Sequence, residues 1–250
     1  MRLRNKRSLT LLLAACALAG GVLWSRLPLH QGPLTKQTLY VMMAHACCTA
    51  SDAEPAALWI DDDSGDGMGL VKALCDELDI KATFAVVPGR LSETNGDSLA
   101  AWQRQGFGVA IHGLNHDHWR TWGREQIEAD IAACRQRMGQ AGIDTSRLSR
   151  IVVPPHADNT MAIRGVVARQ GCHIVTGACT VNPSASCFMW GRLWIDADTD
   201  TTAMGCLLEK ARRRNAFVVF GTHSSQANEF AADKTRAVLR RAKELGFVFR

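Results

Sequence analysis

Ala57-Leu-Trp-Ile-Asp-Asp-Asp63 sets a short apolar run directly against three acids. The apolar part, residues 57–60, reads as a strand, and the acids then stand at its C-terminal end. The same alternation of helix and strand continues down the chain. Residues 68–78 read as a helix with Leu70, Val71, Leu74 and Leu78 on its apolar side, and Ala82-Thr-Phe-Ala-Val-Val87 as a second strand closed by Pro88-Gly89. A helix at 98–105, a strand at 108–111 and a long helix at 124–141 come next. The long helix carries Glu and Asp in its first half and Arg in its second, which complements the helix dipole. Further strands are read at 148–153, 173–176, 217–220 and 247–249, and further helices at 160–170, 202–214 and 231–245. Strands that alternate with helices predict a parallel sheet with helices outside it. About seven strands in one such unit suit a closed or partly closed barrel, whose chemistry sits at the C-terminal ends of the strands.

Polar residues gather where that rule puts them. Asp61, Asp62 and Asp63 follow the first strand, and His112-Gly-Leu-Asn-His116 follows Val109-Ala-Ile111. Pro154, Pro155 and His156 follow Ile151-Val-Val153, Asp196 and Asp198 follow Leu193-Trp-Ile195, and Gly221-Thr-His223 follows the strand at 217–220. In a parallel barrel these clusters converge on one rim. A catalytic zinc takes three ligands from His and carboxylate and keeps a position open for water. His112 and His116, four apart, can turn inward together, and a nearby Asp of the 61–63 group supplies the third ligand. A second carboxylate could then take a proton from water, and a histidine across the site could protonate a leaving group. The acids do not make a calcium loop, since the spacing fails at Gly65 and no Glu closes it. Gly113 stands where a zinc protease has its Glu, and neither a G-x-S-x-G elbow nor a Gly-rich phosphate loop occurs. His118 reads as a surface residue.

The chain of 250 residues is 47% hydrophobic and 21% charged, with a net charge of +5 to which Arg2, Arg4, Lys6 and Arg7 contribute. No basic patch interleaved with aromatics occurs, which argues against nucleic acid as a partner. The basic start leads into an apolar stretch from Ser8 to Trp24 with many small residues, the pattern of an export signal. Three readings of residues 1–24 stay open: a cleaved signal, an uncleaved membrane anchor, or a lipid attached at Cys16 of Leu13-Ala-Ala-Cys16. Each predicts an exported protein of a bacterial periplasm or cell envelope, touching membrane only through this segment. Residues 25–55, with Pro28, Gly32, Pro33 and Pro55, read as a linker or irregular lead-in, and 56–250 as the catalytic domain. None of the nine cysteines forms a C-x-x-C. Cys75 and Cys134 read as buried apolar residues, while Cys172, Cys179 and Cys187 lie close enough in sequence to hold one disulfide.

Taken together these residues resemble the polysaccharide deacetylase family, carbohydrate esterase family 4, over about residues 58–249. The resemblance implies a distorted (β/α) barrel of the glycoside hydrolase/deacetylase type. Leu58-Trp-Ile-Asp-Asp62 is similar to the family's first motif, which makes Asp61 the base and Asp62 a metal ligand. Shifting these roles to Asp62 and Asp63 fits the preceding strand less well. His112 and His116 match the metal histidines of the second motif, and Lys81-Ala-Thr-Phe-Ala-Val-Val87 its second strand. Val153-Pro-Pro-His156 resembles the third motif, which implies that Pro154, Pro155 and His156 bind substrate and that backbone near His156 holds an oxyanion. Thr222-His223 stands where the family keeps its catalytic acid, and Ala242 to Phe249 resembles its closing helix and strand. Val153 replaces the arginine that orients the family's base, His156 its aromatic and Ala157 its glycine, and Asp196-Ala-Asp198 only loosely echoes the fourth motif. The expected activity is metal-dependent removal of N- or O-acetyl groups from an envelope carbohydrate, with zinc as the ion and cobalt or nickel as alternatives. Two rivals remain: a non-catalytic carbohydrate-binding protein on the same barrel, and a hydrolase of a non-sugar amide.

Overall fold

The computed structural model describes residues 36–46, 48, 52–63, 65–225 and 230–250. The leader read in residues 1–24, with Cys16, lies outside them. Helix α1 (Lys36–Ala46) precedes strand β1 (Ala56–Asp62), α2 (Met68–Leu78), β2 (Thr83–Val86), α3 (Glu93–Arg104), β3 (Gly108–Ile111) and α4 (Arg124–Gln140). Then come β4 (Ile151–Val152), α5 (Met161–Arg169), β5 (His173–Val175), β6 (Met189–Trp190), β7 (Leu193–Trp194), α6 (Thr201–Arg212), β8 (Phe217–Thr222), α7 (Ala232–Glu244) and β9 (Val248–Phe249). Among the described residues no helix is long and apolar enough to cross a membrane.

All strand pairs run parallel, in the order β6-β5-β4-β3-β2-β1-β8-β7, with β9 added against β1. The sheet curls into a distorted half-barrel. Its nine strands outnumber the seven or so expected, with β6 and β7 adding two residues each. Those two strands are the opposite edges of the sheet, yet only Gly191 and Arg192 separate them in the chain. The barrel therefore has a seam crossed by covalent chain and not by a strand ladder. Asn182 stitches this seam from inside. Its Nδ2 donates to the carbonyls of Gly191 (3.0 Å) and Phe217 (3.2 Å), and its Oδ1 accepts from the Gly191 N–H (2.8 Å).

Side chains alternate across each strand, so each strand feeds two layers. Ala57 and Trp59 of β1, Val109 and Ile111 of β3, and Val218 and Phe220 of β8 pack outward under the helices. Leu58 and Ile60, Ala110, Ile151 and Val153, and Phe217 and Val219 pack inside the barrel. Cys75 and Cys134 are fully buried in the outer layer, as their apolar surroundings require. The stretch read as a linker contains α1, which lies against edge strand β6. There Val41 is buried and His45 Nε2 donates to the Met189 carbonyl at 2.9 Å. A helix over an edge covers backbone groups that would otherwise be open to pairing.

Candidate active site

The alternation decides which polar residues enter the barrel mouth. Asp62 continues the inward series Leu58-Ile60, His112 continues Ala110, and His223 continues Phe217-Val219-Gly221. Asp62, Asp63, His112, His116, His156, Ala157, Arg192, Trp194 and His223 together line a pocket of about 320 Å³. It opens at the C-terminal ends of the strands.

Asp63, His112 and His116 each offer a ligand atom, and these atoms all lie within 4.8 Å of one another. His112 Nδ1 sits 2.7 Å from the Val153 carbonyl, which can only accept, so the proton belongs on Nδ1 and the lone pair on Nε2. That Nε2 is buried and has no hydrogen-bond partner. Burial pushes the His112 imidazolium below its ordinary range and, with the His112 charge second, lowers His116 to about 4. Both rings are therefore neutral at neutral pH, the form that ligates. Two neutral imidazoles and a carboxylate around an unpartnered buried nitrogen fit a divalent ion of zinc's character. Asp63 and His116 both adopt the left-handed backbone region, at φ 55° and 65°. Strain of that kind, about 1–2 kcal/mol per residue, persists where the surroundings over-determine it, often at functional sites.

Asp62, expected as the ligand, is not in this cluster. Its Oδ2 lies 2.5 Å from Arg192 Nη1, and both side chains are almost completely buried. Burial alone would raise its pKa. The Arg192 charge, helped by His112 and His223, outweighs that and holds the carboxyl below its usual range. Arg192 also lies 4.1 Å over the Trp194 ring, whose other neighbour is His223 at 4.6 Å between centroids. Gly221 makes room for both, since a Cβ there would come within 3.1 Å of Trp194 and 3.2 Å of Arg192. His223 Nε2 stands 3.9 Å from Asp62 Oδ2. A charged carboxylate and an imidazole thus face one pocket next to the three-residue cluster.

Asp61, expected as the base, shares the outward side of β1 with Trp59 and does not line the pocket. It accepts from the Thr222 hydroxyl (2.8 Å), the Ser224 N–H (2.9 Å) and the Ser224 hydroxyl (2.5 Å). These bonds grip the residues on either side of His223. Burial raises the Asp61 carboxyl to about 7 despite them. Its place in the fold is that of a brace beneath His223.

The third cluster divides. His156 lines the pocket, its ring 4.3 Å from that of His116 and stacked at 3.6 Å on that of His118, with Nε2 donating to the His116 carbonyl at 3.0 Å. Pro154 and Pro155 are buried and do not line it. Pro155 instead packs against Gly113, at φ +77°, where a Cβ would come within 2.5 Å of the proline ring. The N–H groups of Ala157 and Asp158 donate to the carbonyls of Pro154 and Pro155, so neither is aimed at a ligand. His118 is exposed and bonds the buried Asp158. Asp196 also stays outside the pocket, where its Oδ1 accepts from Asp198 N–H and the Thr199 hydroxyl. Arg192 and Trp194 escaped the sequence reading because neither belongs to a motif. Their even spacing with Trp190 was the available signal.

Residues 50–175 match the family model described as polysaccharide deacetylase. A chitin deacetylase from the fungal pathogen Colletotrichum lindemuthianum superposes with a TM-score of 0.60 at 12% identity, over 80% of this chain and 87% of that one. A family 4 acetyl xylan esterase from Clostridium thermocellum, in complex with a cobalt ion, gives 0.58 at 15% identity over 78% and 87%. A mutant peptidoglycan deacetylase from Bacillus subtilis gives 0.52 at 11% identity over 79% and 87%. At these identities the structural likeness speaks to the fold. No curated protein sequence matches the chain.

Proposed function

Since the chain belongs to the polysaccharide deacetylase family, we propose that it is a metal-dependent deacetylase that frees acetate from an N- or O-acetylated envelope polysaccharide or oligosaccharide. The observation that carries this reading is one pocket holding the Asp63–His112–His116 cluster, the Asp62–Arg192 pair and His223. Asp63, His112 and His116 would hold the ion, zinc first and cobalt or nickel as alternatives. Such an ion supplies a Lewis acid that polarises an acyl carbonyl and makes water more acidic. Asp62 takes the proton from the attacking water, and Arg192 keeps it ionised and aimed for that purpose. His223, braced by Asp61 through Thr222 and Ser224, gives a proton to the departing amine or alcohol. Trp194 and the exposed face of His156 form the rim against which a sugar ring can rest. The basic and then apolar start of the chain supports export to the periplasm or cell envelope.

The test is acetate release from chitooligosaccharides, poly-N-acetylglucosamine, acetylated xylan and peptidoglycan, with zinc or cobalt added. Asp62→Asn should abolish turnover and keep the metal, Asp63→Asn should lose the metal, and Asp61→Asn should keep both metal and measurable turnover. If Asp61→Asn is dead with metal bound while Asp62→Asn loses the metal and Asp63→Asn keeps it, the roles stand one residue earlier. Stoichiometric metal with silence on every sugar would favour a non-sugar amide or a binding role instead.

A further inference from the structure

Cys48 Sγ and Cys187 Sγ lie 2.7 Å apart across a sequence separation of 139 residues. Two thiols left reduced gain little from so close an approach, because sulfur is a weak donor and a weak acceptor. The surroundings hold the pair together by contacts that do not involve sulfur. Asp52 accepts from the Ser184 hydroxyl (2.9 Å) and the Ala185 N–H (3.0 Å), on the turn that ends at Cys187. His45, one turn before Cys48, is bonded to Met189, two residues beyond Cys187. The other described cysteines stand apart from this arrangement: Cys75 and Cys134 are sealed in the outer core, Cys172 is half-buried with its Sγ 3.6 Å from the Gln170 carbonyl, and Cys179 and Cys206 are exposed.

We propose that Cys48 and Cys187 form a disulfide that fastens the N-terminal segment to the barrel. The oxidant is a small or protein disulfide. Cys48, the less buried thiol, attacks it and releases one reduced sulfur; Cys187 then attacks the mixed disulfide at Cys48 and releases the other. One S–S bond forms in the protein and one breaks in the oxidant, which leaves with both electrons and both protons. The bond anchors the C-terminal end of α1. At its other end Gln37 donates to the Ala157 carbonyl (2.6 Å) and accepts from the Gly177 N–H (3.0 Å). Ala157 lines the pocket. The segment therefore runs as a strap from the proposed bond to the wall of the site, along the sheet edge that β6 leaves open. This pairing differs from the sequence expectation, which grouped Cys187 with Cys172 and Cys179.

The decisive experiment treats the purified full chain with oxidised glutathione, blocks remaining thiols with N-ethylmaleimide, and maps peptides without reduction. The expected result is a linked peptide joining Cys48 to Cys187, lighter by two hydrogens. It should persist in Cys47→Ser, vanish in Cys48→Ser and in Cys187→Ser, and part on reduction. Reduction should also speed amide exchange across residues 37–46 and lower the apparent Tm by roughly 5–10 °C. Maleimide on both Cys48 and Cys187 after oxidation, or Cys187 joined to Cys47, Cys172 or Cys179, overturns the proposal. The mapping on the unsubstituted chain decides this even if a serine variant fails to fold, and it is independent of any deacetylase activity.

Discussion

Arg192 and Asp62 are each stranded without the other. Removing one partner of a buried ion pair costs about 3–5 kcal/mol, because the remaining charge keeps its desolvation penalty. Arg192→Ala should therefore lose that much stability in urea unfolding at pH 7. Because the pair depresses the Asp62 carboxyl in the folded state, its contribution is present above the unfolded pKa near 4 and fades as pH falls through the folded value. The deficit of the variant should shrink below about pH 4. A deficit that is flat with pH would mean that Arg192 acts through packing on Trp194 alone. His116 shifts in the same direction for a different reason, burial of the ring. Its folded pKa of about 4 lies below the unfolded imidazole value, so the unfolded chain takes up the proton first as pH falls. In chelator, wild-type stability should drop between about pH 6.5 and 4, and His116→Gln should flatten that part of the curve. Equal slopes in both would remove His116 as the titrating group.

The turn after β3 depends on its glycine. Gly113 combines a left-handed backbone with contact against Pro155, and through that contact the two histidine-bearing turns keep their distance. Gly113→Ala adds about 1–2 kcal/mol of backbone strain and an overlap with the proline. It should cost about 2–4 kcal/mol in all and weaken metal retention, read by unfolding and by metal content after dialysis. The same elements show what the sequence could reveal. Helices 68–78 and 124–141 and the strand 108–111 were legible almost to the residue, since periodicity and flanking glycines mark them. His112, His116 and His223 follow strands long enough to set their direction. Asp61 and Asp62 were legible too, had the alternation in Leu58-Trp-Ile60 been carried two residues further: Trp59 and Asp61 share one side, Ile60 and Asp62 the other. Helix α1 and strand β6 were not. The first owes its position to tertiary contacts with Met189, Ala157 and Gly177, and the second is two residues long.

At the scale of the molecule, the barrel closes without a continuous ladder, and Asn182 holds both sides of the gap. Asn182→Ala would strand the buried Gly191 N–H and carbonyl, while the Phe217 carbonyl keeps its bond from the backbone N–H of residue 182; a polar group left alone costs about 1–3 kcal/mol. The expected signature is a loss of roughly 2–4 kcal/mol together with a fall in turnover, because Gly191 leads directly into Arg192. Unchanged turnover at reduced stability would show that Arg192 is held by its ion pair and not by the seam. The residue that faces Asp62 thus arrives from the bridge between two edge strands, far along the chain from Val153, where the family's arginine would stand. Both positions feed the same barrel interior. A sorting rule that demands arginine before Pro154 would file this chain among proteins whose pocket carboxylate has no counter-ion, although Arg192 is paired with Asp62. Classification by the charge that reaches the carboxylate, whatever its address, would group this chain by its ion pair and not by the residue before Pro154.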